Sequence, residues 1–145
     1  MKIVFLGLTG VHQALAAGCY YLSRESGENL DLEGFADLEL EKAGFPILLG
    51  QDRNNNLVYA LGSETDILVL KRTIDELAAV LGEPGELLVL PITIPWQKIL
   101  LWLTTIAGFI GAGQWYYNFS RYIIKREIPL IISQVDKYQE QLQQN

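Results

Sequence analysis

Apolar residues recur along this chain with two periods, and the changes from one to the other outline its elements. Ile3-Val4-Phe5-Leu6 is an unbroken apolar run that stops at Gly7; beyond Leu8-Thr9-Gly10 the apolar positions Val11, Leu15, Cys19 and Leu22 follow at helical spacing. The pattern predicts a strand, a tight loop and a helix. Ser26-Gly27-Glu28-Asn29 breaks it, and a short helix around Ala36 to Ala43 is expected before Gly44 and Pro46. Ile47-Leu48-Leu49 and Leu57-Val58-Tyr59-Ala60-Leu61 flank a turn-forming segment, Gly50 to Asn56, whose Asn and Asp residues suit left-handed conformations. That reads as a β-hairpin at a sheet edge.

Ser63-Glu64-Thr65-Asp66 has the form of a capping box, followed by Ile67, Leu70, Ile74, Leu77 and Leu81 as the core stripe of a helix that Gly82 and Pro84 stop. Leu87-Leu88-Val89-Leu90 lacks alternation, which predicts a central strand covered on both faces. Thr93 and Pro95 suit the start of another helix from about Trp96, Tyr122-Ile123-Ile124 reads as a short strand, and Glu127-Ile128-Pro129 opens a last helix with Leu130, Ile131, Val135, Tyr138 and Leu142 on its apolar side. Gln139 to Asn145 is a polar tail expected to fray. The order β-α, hairpin, α-β-α-β-α predicts a single α/β domain over residues 1–145: a three-layer, Rossmann-like sandwich with a mostly parallel sheet and an edge hairpin. Strand order is left open.

Charge changes the picture in two places. A net charge of −6 with no basic run argues against a nucleic-acid partner. Acidic residues crowd from Glu25 to Glu41, and a solvated connection explains them better than a metal site, since nothing there resembles a calcium loop. No metal is expected. The one cysteine, Cys19, sits at a helical apolar position and reads as a small core residue; with no export signal at the N-terminus, the expected setting is the cytoplasm.

Ile99 to Ser120 carries no charge, which poses the membrane question because a span needs about 20 mainly apolar residues. Trp96, Trp115, Tyr116 and Tyr117 could form interfacial belts, with Lys98 and Arg121 flanking. Thr104, Thr105, three glycines and the polar turn after Gln114 favour a buried helix over a span or a surface-lying helix.

The first loop holds the candidate chemistry. Unpaired N–H groups at the start of a helix, at the positive end of its dipole, can hold a phosphate or carboxylate. Gly7, Thr9, Gly10, Val11, His12 and Gln13 are the candidate ligand-binding residues: Gly10 for positive φ or close backbone approach, Thr9 for its hydroxyl, and His12 for near-neutral titration. Thr93 and Lys125-Arg126 could add to the same rim. The loop has neither the G-x-G-x-x-G spacing of dinucleotide binders nor a P-loop ending, and no second catalytic group accompanies His12.

Thr9-Gly10-Val11-His12-Gln13-Ala14 with Ala16-Ala17, Val58-Tyr59-Ala60-Leu61-Gly62, Leu81-Gly82 and Ile123-Ile124-Lys125 together resemble the bacterial family catalogued as domain of unknown function 3189, found mainly in spore-forming Firmicutes. Its signature is a strand, Gly-Gly-x-His-Ser-Ser and an alanine-rich helix; here Thr9 stands for a glycine and Gln13-Ala14 for the two serines, which removes hydroxyls that would contact an anion. The resemblance implies an α/β fold and an important loop, and no reaction. The leading expectation is therefore a protein that binds a small anionic or phosphorylated ligand at Gly7 to Gln13. The rivals are a transferase or hydrolase using His12 as acid or base, and a membrane-associated or protein-interaction module using residues 96–117.

Overall fold

The structure, a computed structural model, describes residues 1–26, 32–82 and 85–144. Ile3, Phe5 and Leu6 have no exposed surface, because their strand, β1 (Lys2–Gly7), runs inside a four-stranded sheet. With β2 (Ile47–Gln51), β3 (Leu57–Gly62) and β4 (Leu87–Pro91) the order across the sheet is β2-β3-β1-β4. β1 is parallel to both neighbours, in the registers Phe5–Ala60 and Phe5–Leu90, and β2 is antiparallel to β3.

Alternate residues of the sheet feed two cores. Ile3, Phe5, Val58, Ala60 and Leu90 pack with α1 (Leu15–Ser26) and with the inner sides of α4 (Gln97–Ile110) and α5 (Gln114–Gln144). Leu6 and Val89 belong to a second cluster with Leu70 and Ile74 of α3 (Ile67–Val80). A six-residue helix, α2 (Leu38–Ala43), precedes β2; Asp37 caps it by accepting from the Glu39 and Leu40 amides, and Gly44 ends it at φ 69°. The architecture is thus a mixed α/β arrangement around one open, mostly parallel sheet, with the hairpin at one edge as expected.

The hairpin turn has a specific fastening. Asp52 accepts from the backbone amides of Asn54 and Asn56, from the Asn56 side chain and from the Tyr21 hydroxyl, while Asn55 takes φ 62°. Burial pushes the Asp52 carboxyl up, but these donors together hold it below its ordinary value.

Several expectations are corrected. Among the described residues β4 is an edge strand, paired with β1 alone. Its unbroken apolar run arises because Val89 and Leu90 face different cores, and facial cover says nothing of lateral position. Tyr122-Ile123-Ile124 is not a strand, and no helix starts at Glu127: α5 is continuous for 31 residues with Pro129 inside it. Ile123, Ile124, Ile131 and Val135 are its buried stripe, and the exposed proline interrupts no packing face.

The cap of α3 is Asp66, which accepts from Leu68 and Val69, whereas the Ser63 hydroxyl donates to the Thr65 carbonyl. The far end of the expected core stripe is not covered: Leu77 and Leu81 are exposed, bordering a small cavity with Lys2 and Leu87. α4 is buried on one side only, through Leu100, Leu103 and Ala107. Among the described residues no helix is long and apolar enough to cross a membrane. The break expected at Gly27-Glu28-Asn29, the stop at Pro84 and the terminal Asn145 lie outside the described residues.

Candidate functional site

The loop after β1 does not lead straight into an α-helix. Gly10–Ala14 forms a π-helical turn, entered from extended backbone at Thr9, and α1 continues from Leu15. Such turns are rare, and often mark functional sites. All of Gly7 to Ala14 is buried.

Two main-chain donors open this turn, and both meet a carboxylate: the Gly10 and Val11 amides donate to Oε2 of Glu41, at 2.9 and 3.1 Å. The segment carrying Glu41 is laid over the turn by the Ala36 amide, which donates to the Val11 carbonyl, and by Phe35, whose ring meets His12 edge-on at 5.6 Å. The acidic stretch is therefore not wholly a solvated connection: Glu33, Asp37 and Glu39 are exposed, but Glu41 is 7% exposed. Burial pushes the Glu41 carboxyl above its ordinary value, the Val11 and Gly10 amides oppose that, and the negative charge of Glu64 adds to it.

The close approach at Gly10 is made by the protein itself and not by a ligand, and its φ is not positive. A Cβ at Gly10 would lie 2.8 Å from the Gly62 nitrogen, and one at Gly62 would lie 2.6 Å from the Gly10 nitrogen. The Ser63 and Glu64 amides prolong this seam by donating to the Gly7 and Leu8 carbonyls, with Glu64 held at φ 55°. Beside the seam lies a cavity of about 270 Å³, bordered by Gly10, Glu41, Lys42, Gly62, Ser63 and Glu64.

His12 points the other way. Its Nδ1 lies 2.8 Å from the Thr9 hydroxyl, and its Nε2 lies 3.2 Å from both the Ser120 and Tyr116 hydroxyls of α5. Thr104 donates to the Leu100 carbonyl, so its oxygen is free to accept from Tyr116 at 3.0 Å. Tyr116 oxygen then accepts from Nε2–H, which assigns the neutral Nε2–H tautomer, with Nδ1 accepting from Thr9. Burial lowers the imidazole pKa to about 3. The ring ties the first loop to α5 and has no surface in the cavity.

Gln13 lies against Gly7, where a Cβ would come within 2.9 Å of its Cγ, and donates to Gln97 at 3.0 Å. Its Oε1 is buried without a hydrogen-bond partner among the described residues. Thr93 and Arg126 do not join this rim: the Gln134 side chain clasps the Thr93 backbone on both sides, and Arg126 lies over the Trp96 ring at 5.4 Å. Of the six expected residues, Gly10 alone borders the cavity, and Val11 contributes its amide; Glu41, Gly62 and Glu64 were missed, since nothing local in the sequence shows that they meet the loop. No cluster of metal-ligating side chains occurs among the described residues.

A family model described as "Protein of unknown function (DUF3189)" matches residues 2–140. The chain belongs to the DUF3189 family. That match spans β1, the loop, Glu41 and most of α5, so the whole arrangement lies within the DUF3189 region. No curated protein and no solved structure matches this DUF3189 member.

Proposed function

We propose that this DUF3189 protein binds a small anionic ligand, a carboxylate or a phosphorylated compound, whose charged group takes the position held by the Glu41 carboxylate. One observation carries the reading: the Gly10 and Val11 amides converge on a single carboxylate oxygen at the edge of a cavity. A pair of convergent N–H groups at a helix start holds any such oxygen, whether it belongs to the chain or to a ligand. Burial already disfavours charge on Glu41, and its short helix is attached through an exposed Gly44, so the carboxylate is a resident that can be exchanged.

In this reading Gly7, Thr9, His12 and Gln13 shape the loop from behind, and the ligand meets Gly10, Val11 and the Gly62–Glu64 seam. The setting is the cytoplasm, and the fold is a Rossmann-like sandwich with its ligand beyond the carboxyl end of β1, where open parallel sheets gather ligands. A reaction through His12 has no support, because the ring is neutral and walled off by Thr9, Phe35, Tyr116 and Ser120.

Thermal unfolding with inorganic phosphate, sugar phosphates and nucleotides, on wild type and Glu41→Ala, tests this. Without ligand the variant is less stable by about 1–3 kcal/mol, the usual cost of amides that lose a charged acceptor. Ligand stabilisation grows as RT ln(1 + [L]/Kd), about 2.7 kcal/mol at a hundredfold excess, and it should be larger in Glu41→Ala than in wild type. Equal shifts in both proteins, or none in either, would refute the reading.

A further inference from the structure

We propose that the tip of the α4–α5 hairpin docks onto an anionic membrane surface, with Phe109, Ile110 and Trp115 entering the interface and the basic residues behind them contacting lipid headgroups. The inference is independent of the ligand reading and rests on a different part of the molecule.

α4 turns into α5 through Gly111, Ala112 and Gly113, all exposed, and the apolar side chains around this turn are not tucked in: Phe109 is 87%, Ile110 72% and Trp115 42% exposed. Trp102 continues the outward stripe on α4, and Phe119 and Tyr122 continue it on α5 at spacings of four and three. Trp, Tyr and Phe are the residues that settle at headgroup level, where an amphipathic ring has both apolar and wet surroundings.

The charges are segregated to match. From Leu87 to Arg126 there is no Asp or Glu, in a protein with 17 of them, while Lys98, Arg121, Lys125 and Arg126 are present and exposed. Lys42 of α2 also reaches the hairpin, its Cε 3.8 Å from a Cβ built at Gly108. Of the acidic groups around the hairpin, Glu41 is bonded to the loop amides and Glu127 follows the basic pair on a half-buried position, while Glu33, Asp37 and Glu39 are exposed on the segment whose Phe35 ring meets Tyr117 at 6.0 Å.

Spacing decides between spanning and surface docking. At 1.5 Å per residue the 14-residue α4 is about 21 Å long, short of the hydrocarbon core. Arg121 lies about 9 Å along the helix from Trp115, which puts its guanidinium at the phosphates when the tip enters by the 5–10 Å typical of interfacial helices. A net-negative protein held at an anionic surface needs such a basic, apolar-tipped face turned toward it.

Flotation with phosphatidylcholine vesicles and with vesicles containing phosphatidylglycerol, on wild type, Phe109→Asp/Ile110→Asp and Arg121→Glu/Lys125→Glu, tests the proposal. Wild type should float with the anionic vesicles at low salt, with tryptophan emission shifted to the blue and quenched by brominated acyl chains. Each double variant should lose at least about tenfold in partitioning. These side chains are exposed, and unchanged circular dichroism and urea midpoints verify that the variants are folded. No flotation of wild type, or flotation that the tip variant leaves intact, overturns the idea. So does a wild-type dimer in light scattering that Phe109→Asp/Ile110→Asp makes monomeric without any vesicle binding, since the face would then belong to a second copy.

Discussion

Acidification from pH 7 to pH 5 should destabilise this protein through one ring. His12 has no exposed surface, and burial lowers its pKa from 6.5 to about 3. The unfolded chain therefore takes up the proton before the folded one does. The contribution of neutral His12 is complete above pH 6.5 and is lost as pH falls toward 3. Each pH unit in that window removes about 1.4 kcal/mol, so the step from 6.5 to 5 removes about 2 kcal/mol, a large share of a typical margin of 5–15 kcal/mol. Glu41 acts in the opposite sense, because its raised pKa lets the folded state gain protons as pH falls. Urea unfolding of wild type and His12→Gln at pH 7, 6 and 5 cancels that term. The introduced side-chain amide offers an acceptor to Thr9 and a donor to α5, so the variant should fold, less stably at pH 7, and the gap between the two proteins should close by about 2 kcal/mol at pH 5. As His12 is the sole histidine, its ring signals in a proton NMR titration report directly. A gap that does not change with pH, or ring signals that titrate near 6.5, would refute the reasoning.

Two further outcomes follow from the packing. Gly62→Ala places a Cβ 2.6 Å from the Gly10 nitrogen and 2.9 Å from Glu41 Oε1, where backbone must yield, so a loss of about 1–3 kcal/mol is expected in urea unfolding; a neutral substitution would mean that the seam is looser than described. Asp52→Ala strands the donors of Asn54, Asn56 and Tyr21 and should cost about 1–3 kcal/mol at pH 7. Because the folded pKa of Asp52 is depressed, its contribution is present above the ordinary value of 3.8 and is lost as pH falls through the folded value; wild type and variant should converge in that acid range, and a gap persisting there would count against the account.

The local half of this fold was legible in the sequence. The run Ile3 to Leu6, the helical spacing from Val11, and the Asn-rich segment between Leu49 and Leu57 each encode an element within a few residues. What was not legible depends on pairing at a distance. The run Leu87 to Leu90 reports that two faces are covered, not which strands lie alongside, and Pro129 looks like a helix start until Ile124 and Ile131 are seen to bury one continuous stripe. At the candidate site the loop was visible and its occupant was not. Glu41 follows Gly10 by 31 residues in a run of acids, and only folding separates it from its exposed neighbours. His12 drew attention by its titration chemistry, but it is neutral and sealed in the interior by hydroxyls from α5 that no spacing rule links to it.

If the cradle binds an anion as proposed, the tethered Glu41 side chain sets it a selectivity threshold. A group held on the same chain competes at an effective concentration of millimolar order or more, so a simple monocarboxylate dissolved at lower levels loses to it. An incoming molecule prevails only with extra charge or with a body that fills the adjoining 270 Å³. Under the proposed binding, a generic pair of amides then answers to a larger or more highly charged acid and not to a small monocarboxylate below the effective concentration of the tethered group.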